Sequence, residues 1–481
     1  LKDRAPGSLL LPMIRQGLPL ALGMASHALF NLVDLLLVGR LGADAVAGVH
    51  VATTINFLPM ILGNGISIAT MSVLARRVGS GDMTRARELS SRWQMLMPLL
   101  GIAVGVLGAL LVYPCVDLQG VEGRARDIGV HYLLVTNLGT VTMFVVMQTT
   151  ASMRALGESL MPFALLFGCN VLNLLLDVVL LFGWDAMAIP AFGAPGAAYA
   201  TVIARAAAAG IGLWWLSRPG CGLRLRWVSL RGGRAEQMEV LRLGLPQSLQ
   251  MLMREVAVVA LTRIAGDLGG QSAIVALGVT TRLDTLVLFA AMGFASAATT
   301  VVGLSCGAGR FDAARRACRW AGLCAFVFSA MLVLTFLTWA KPIIALFVEE
   351  ADASVIAAGV LYLSIAALGH PFASVCLALT GGFTGAGRVL PPVVLDLIGF
   401  AGLLLPATIA VASFVDTAGL GSIWWIFAGV NVLLAAAYWV YLERARWMLP
   451  RVSPGTPDRV DSQGADADCE PRGSTRRARS R

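Results

Sequence analysis

Lysine is almost absent from this sequence. Lys2 follows Leu1 and Lys341 follows Ala340, so no G-x-x-x-x-G-K phosphate loop can exist in it, which excludes ATP-driven transport within the chain. Charge of either sign is scarce: 14% of the 481 residues are charged, against about a quarter in a typical soluble domain. No H-E-x-x-H helix and no G-x-G-x-x-G turn occurs. No C-x-x-C joins any two of the eight cysteines (115, 169, 221, 306, 318, 324, 376 and 469), and the four histidines do not cluster. These absences argue against an enzyme, a metal centre and a disulfide framework. The cysteines read as apolar packing, and no cofactor is expected.

What is there is apolar. Hydrophobic residues make up 57% of the chain and the mean hydropathy is +0.77, with stretches of spanning length, roughly 20 residues, recurring from end to end. We read twelve hydrophobic helices at about 12–38, 46–75, 93–114, 128–154, 160–183, 195–217, 241–266, 273–304, 319–347, 354–384, 389–414 and 419–442. The fold class is an all-α polytopic membrane protein. The chain opens on Leu1 rather than Met, so a short preceding piece is expected; the first apolar run is too long for a cleavable signal.

The net charge of +9 is carried by arginine. A nucleic-acid partner is the tempting explanation, but arginines of a membrane protein collect in its cytoplasmic loops. With the N-terminus inside, Arg76, Arg77, Arg85, Arg87 and Arg92 follow helix 2. Arg218, Arg224, Arg226, Arg231, Arg234 and Arg242 follow helix 6, and Arg310, Arg315, Arg316 and Arg319 follow helix 8. The opposite side has Arg40, Arg124, Arg126, Arg263 and Lys341 beside acids such as Asp117, Glu122, Glu349, Glu350 and Asp352. Both termini are therefore expected in the cytoplasm of a bacterial cell, with the chain in its inner membrane, and no nucleic acid as partner.

The chain repeats itself. Gly17-Leu18-Pro19 is answered by Gly244-Leu245-Pro246 at an offset of 227; Gly79-Ser80-Gly81 by Gly307-Ala308-Gly309 at 228; Arg154-Ala155-Leu156-Gly157 by Thr384-Gly385-Ala386-Gly387 at 230. A constant offset across an even helix count implies two pseudo-symmetric six-helix lobes with a central cavity between them. The expected divisions are an N-lobe at 1–217, a basic cytoplasmic linker at 218–240, a C-lobe at 241–445 and a disordered tail at 446–481.

An acid deep in such a span costs about 2.5–3.5 kcal/mol at the bilayer centre, so it marks a pathway or relay by default. In helix 1, His27, Asn31 and Asp34 share one face by their spacing of four and three; in helix 5, Asn170, Asn173 and Asp177 do the same. Thr201 lies on helix 6 in a run of small residues that permits close packing. Two carboxylates with amide and hydroxyl neighbours in one lobe can form a proton or sodium site. The same acids could serve as interhelical hydrogen-bonding glue. The second lobe is poorer. Glu255 is either neutralised by a neighbouring basic residue or faces the cavity, and Arg282 and Asp284, two apart, read as separate structural contacts.

On these residues the sequence resembles the multidrug and toxic compound extrusion (MATE) family. The resemblance is carried by Pro19, by Asp34 with Gly39-Arg40-Leu41-Gly42-Ala43, by the turn at 79–82, by Arg154-Ala155-Leu156-Gly157-Glu158, by Asn173 with Asp177, by Gly193 to Thr201, and by the turn at 307–309. It implies export of amphipathic, often cationic, organic compounds by antiport against H⁺ or Na⁺, from a protein expected to be a monomer. It further implies an ion-coupling set of Asp34, Asn173, Asp177 and Thr201, as in the DinF-like branch, with helix 1 bending at Pro19. His27, Phe30, Asn31, Asn170 and Glu255 are the expected cavity residues. His27 and Phe30 stand where that branch often has Gln and Tyr. The helix 10 acid of the NorM-like branch is missing near Leu368-Gly369-His370-Pro371-Phe372, which favours protons over sodium. A flippase for lipid-linked sugars or peptidoglycan precursors is the alternative within the wider superfamily; His27, Arg205, Arg254 and Arg282 would suit its anionic cargo.

Overall fold

A computed structural model describes residues 9–184, 187–230, 232–345, 353–414 and 419–444. The expected tail and the acids at 349, 350 and 352 lie outside the described residues. All regular structure in the described residues is helical apart from one isolated bridge, Trp184 to Ile189. The elements are α1 (Leu10–Gly39), α2 (Ala43–Gly79), α3 (Met83–Leu110), α4 (Val112–Asp117), α5 (Gly123–Leu138), α6 (Thr140–Ala155), α7 (Leu160–Phe182), α8 (Ala194–Ser217) and α9 (Arg234–Gly307). They continue with α10 (Phe311–Thr338), α11 (Ala340–Ala345), α12 (Ala353–Ile365), α13 (His370–Gly385), α14 (Leu390–Asp396), α15 (Leu405–Phe414) and α16 (Leu420–Arg444).

Ten of these helical stretches are long and apolar enough to cross a membrane, and α5 with α6, bent by 46°, makes an eleventh. The difference from twelve lies in α9. Its 74 residues would run about 111 Å if straight, against a hydrocarbon core of about 30 Å. The helix leaves helical geometry at Gly270, where φ is 65° and ψ is −158°, a conformation open to glycine alone. Gly244 and Leu304 both pack on the second half of α2, so the two arms of α9 fold back on each other at Gly270. They hold the expected helices 7 and 8. The first arm starts at Arg234, inside the segment read as linker, because Glu236 and Glu239 reach Arg77 (3.4 Å) and Arg76 (2.8 Å) of α2 and anchor the added turns.

Prolines shape the helices without ending them. Pro19 has no N–H for the carbonyl of Arg15, and that carbonyl accepts instead from Ser159 Oγ at 3.2 Å, as backbone freed within a bilayer must find a partner. Residues Leu397–Leu404, just before Pro406, widen into a π-helix, where the same missing N–H loosens the ladder.

The repeat is realised as a set of paired contacts between the lobes. Gly79 of α2 lies against the Leu304 carbonyl of α9, and its counterpart Gly307 against the Arg76 carbonyl; an added Cβ would come within 2.2 and 2.0 Å of those oxygens. Ser72 Oγ donates to the Thr384 carbonyl, and Thr300 Oγ1 to the Arg154 carbonyl. Gly65 meets Gly244 and Ser248 while Gly293 meets Ala21; Gly17 meets Phe294 while Gly244 meets Ile66. In each case the partners exchange under the offset of 227–230 residues, the signature of a pseudo-two-fold axis. Small residues at these positions let the backbones close up where lipid offers no hydrophobic drive.

These contacts gather at one end, the end that carries the arginines. There Arg92 bonds Glu88 (2.9 Å) and the Ser229 carbonyl (3.3 Å), Arg87 bonds the Gly222 carbonyl (2.9 Å), and Ser91 Oγ accepts from Arg226 N (3.1 Å). The segment between α8 and α9 is thereby strapped under α3. Gly303-Leu304-Ser305-Cys306-Gly307 has the spacing of a hydrolase nucleophile elbow, but α9 runs helically through it, and Gly303 and Gly307 press on Ala75 and Arg76. The spacing is that of a helix crossing.

Candidate functional site

Two rings bridge the lobes. His27 of α1 stacks on Phe289 of α9, centroids 6.1 Å apart and planes 17° apart. Toward the arginine end the lobes are in contact from Ala21 and Gly293 onward. Beyond His27, Asn31 of α1 and Thr54 of α2 are exposed.

In the first lobe the expected residues come together in two groups. His27 Nδ1 lies 3.2 Å from Asn170 Oδ1, tying α1 to α7; Asn170 is buried and its Nδ2 has no partner. One turn further, Asn173 Nδ2 donates to Asp177 Oδ1 and to Thr201 Oγ1, each at 3.4 Å, and Thr201 Oγ1 donates to the Ala197 carbonyl at 2.9 Å. Bonds of 3.4 Å are long and weak. Asp177 is fully buried, with Oδ2 unpartnered, and Asp34 Oδ1 is likewise buried and unpartnered. Asp34 and Asp177 are near enough for their charges to act on each other, and Tyr132 and Arg205 share that neighbourhood. Two carboxylates, each with a buried free oxygen and, among the described residues, no basic partner within hydrogen-bonding distance, are poorly served as fixed anions. They are well placed to accept protons or coordinate a small cation. Phe30 meets Phe167 of α7 edge-on at 6.2 Å.

The second lobe is richer than expected. Arg254, the repeat counterpart of His27, pairs with Asp396 at 2.6 Å. Asp396 is fully buried and also accepts from Gln250 Nε2 (2.8 Å) and Tyr438 OH (2.7 Å). Both lobes thus tie their first helix to their fifth through a polar pair, neutral in one and ionic in the other. Glu255 takes no part: it is exposed, and Arg254 is committed to Asp396. It lies seven residues past Ser248, on the face of α9 that meets α2.

Asp284 and Arg282 are separate, as their spacing of two implies, and Asp284 has partners of its own. His370 Nε2 lies 2.6 Å from Asp284 Oδ1, and Tyr362 OH donates to Asp284 Oδ2, with Tyr362 packed on Trp424 and His370 on Phe427. This buried Asp–His–Tyr cluster stands near the place where an acid on helix 10 was sought. A signal was available: Tyr362 is the repeat counterpart of Tyr132, 230 residues earlier. Arg282, by contrast, makes no hydrogen bond or ion pair among the described residues. No group of three or more His, Cys, Asp or Glu suited to a metal occurs among them either.

Comparison with known proteins matches this arrangement. The MatE family model covers residues 19–179 and, a second time, residues 246–409, so it finds both halves and opens each on a member of the Pro19/Pro246 pair. The chain is 27% identical over 451 residues to the probable multidrug resistance protein YpnP of Bacillus subtilis, covering 92% of this chain and 97% of that one. It is 24% identical over 437 residues to the probable multidrug resistance protein YoeA of the same organism, covering 89% and 93%. A solved structure of an outward-facing multidrug resistance MATE family transporter of the MOP superfamily shares its fold, with a TM-score of 0.84 at 21% identity over 92% of this chain and 98% of that one.

Proposed function

Because the chain belongs to the MatE family, whose members are multi-pass membrane transporters and not enzymes, we propose that it is a secondary active multidrug exporter. It antiports amphipathic or cationic organic compounds against protons, and it stands closer to the DinF-like than to the NorM-like branch. The observation that carries the coupling is the pair Asp34 and Asp177, each with an unpartnered buried oxygen, close together on α1 and α7. With the arginine end cytoplasmic by the positive-inside rule, the lobes meet on the cytoplasmic side and the cleft faces outward.

In that state Asp34 and Asp177 take up protons from outside, with Asn173 and Thr201 holding the second carboxyl in place. Neutralisation lets α1 bend at Pro19, where the helix already lacks one hydrogen bond, and the pocket collapses to release its cargo. Loss of the protons to the cytoplasm restores the charge and reopens the cavity inward. His27, Phe30, Asn31, Asn170 and Glu255 line the cargo path. One charge crossing the full membrane contributes about 2.3 kcal/mol per 100 mV, roughly a fifty-fold accumulation, enough for resistance. Ethidium efflux from vesicles under an imposed pH gradient, with and without sodium, tests the reading. Wild type should respond to the pH gradient alone, and Asp34→Asn should stay in the membrane without energised efflux. Unchanged efflux in that variant would sink the scheme.

A further inference from the structure

The second arm of α9 carries a single stripe toward the first lobe. Gly307 meets Arg76, Gly303 meets Ala75, Thr300 donates to the Arg154 carbonyl, Ser296 accepts from Arg154 Nη1 at 2.9 Å, Gly293 meets Ala21, and Phe289 stacks on His27. The spacings of four, three, four, three and four keep these residues on one helix face. Continuing by two turns from Phe289, the same face presents Arg282. At that position Arg282 is exposed.

Its depth follows from the antiparallel run of α1. Ala21 faces Gly293 and His27 faces Phe289, so Arg282 stands near the level of Asp34, on the opposite wall. Among the described residues no hydrogen bond or ion pair reaches the guanidinium, and Asp284 points elsewhere, to His370 and Tyr362. Its repeat counterpart is Thr54, so the charge belongs to the second lobe and is not required by the fold. An unpaired arginine at such depth is tolerated only where it faces water or a partner. Its planar fork matches a carboxylate or phosphate.

We infer that Arg282 is the binding site for an acidic group on the transported compound, so that the cargo is a zwitterionic amphiphile carrying a carboxylate or phosphate besides its cationic end. The inference rests on the export reading above, in which Glu255, exposed on the other arm of α9, lines the cargo path; its carboxylate is the group to receive the cationic end. The stacked rings of His27 and Phe289 offer an aromatic surface that suits a flat ring system.

A matched pair of dyes tests this: a rhodamine with a free carboxylate, and its methyl ester, which is a simple cation. Fluorescence anisotropy on purified wild-type protein should show the acid binding about tenfold tighter than the ester, the usual size of a charge-assisted hydrogen bond. Arg282→Gln should abolish that preference while leaving ester binding unchanged, and Arg282→Lys should restore part of it. Equal binding of acid and ester to wild type overturns the inference without any variant. So does an Arg282→Gln protein that keeps the preference. Transport of the dyes in energised vesicles is read separately. If neither dye moves, the export reading fails, while the binding preference still decides the role of Arg282.

Discussion

Gly307 offers the sharpest test of the interlobe seam. A Cβ built there lies 2.0 Å from the Arg76 carbonyl oxygen and 2.8 Å from its carbon, whereas carbon and carbonyl oxygen ordinarily approach to about 3.3–3.6 Å. Both obstacles are backbone, so no side chain can swing away. Gly307→Ala must therefore spread α2 and α9 by about 1.3–1.6 Å at the arginine end. The methyl group meets the opposite lobe, so the strain falls on the closed seam and spares each lobe's own core. Overpacking of this kind costs about 1–3 kcal/mol, which shifts the balance toward the state open at that end by roughly 5- to 150-fold. Cys306, free and half-buried beside the seam, is a native reporter. Its maleimide reaction rate, followed by peptide mass spectrometry, should rise by that factor. The two-fold relation predicts the same result for Gly79→Ala, whose Cβ meets the Leu304 carbonyl at 2.2 Å. Gly278→Ala, with nothing within 4 Å of its Cβ, is the control. A folded, monodisperse Gly307→Ala protein in which Cys306 reacts no faster than in wild type would refute the reasoning.

The paired hydrogen bonds across the seam should be energetic equals. Ser72→Ala and Thr300→Val each remove one donor from the axis, and each should lower the closed-state population by about 1 kcal/mol, read by the same Cys306 rate; a large difference between them argues against the pseudo-two-fold. Asp396→Asn leaves Arg254 without its counter-ion and should lower stability by about 3–5 kcal/mol, visible as a clear drop in melting temperature in detergent. Tyr438→Phe, which deletes one of the bonds to Asp396, should cost only about 1 kcal/mol. Equal melting shifts for those two variants would mean that the ion pair is not what holds the helices. Asp34→Asn should melt no lower than wild type, since its carboxylate oxygen has no partner to lose, while efflux fails.

Hydropathy placed the spans because every backbone group in a bilayer must bond within its own helix, and a run of apolar residues suffices to announce that. The pattern also parted helices 7 and 8 between 266 and 273, and the chain turns within that gap, at Gly270. Early strapping of α9 by Glu236 and Glu239 was hidden, since a charged segment reads as linker until its partners are placed. Helical spacing sufficed for the first-lobe groups, as Asn170, Asn173 and Asp177 lie on one helix and need no distant partner to be recognised. Spacing failed for Asp284, His370 and Tyr362, which come from three helices whose relative rotation the sequence does not state.

By itself, the sequence determined the class of molecule, the register of its two halves and the faces of α1 and α7 that carry polar groups, because periodicity and repeat offset are local properties of a chain. Tertiary structure decided which of those faces meet. It closed the lobes on glycines at the arginine end and committed Arg254 to Asp396. Among the described residues it left Arg282 exposed and without a hydrogen bond or ion pair, since pairing and exposure depend on how helices distant in the chain are set against one another.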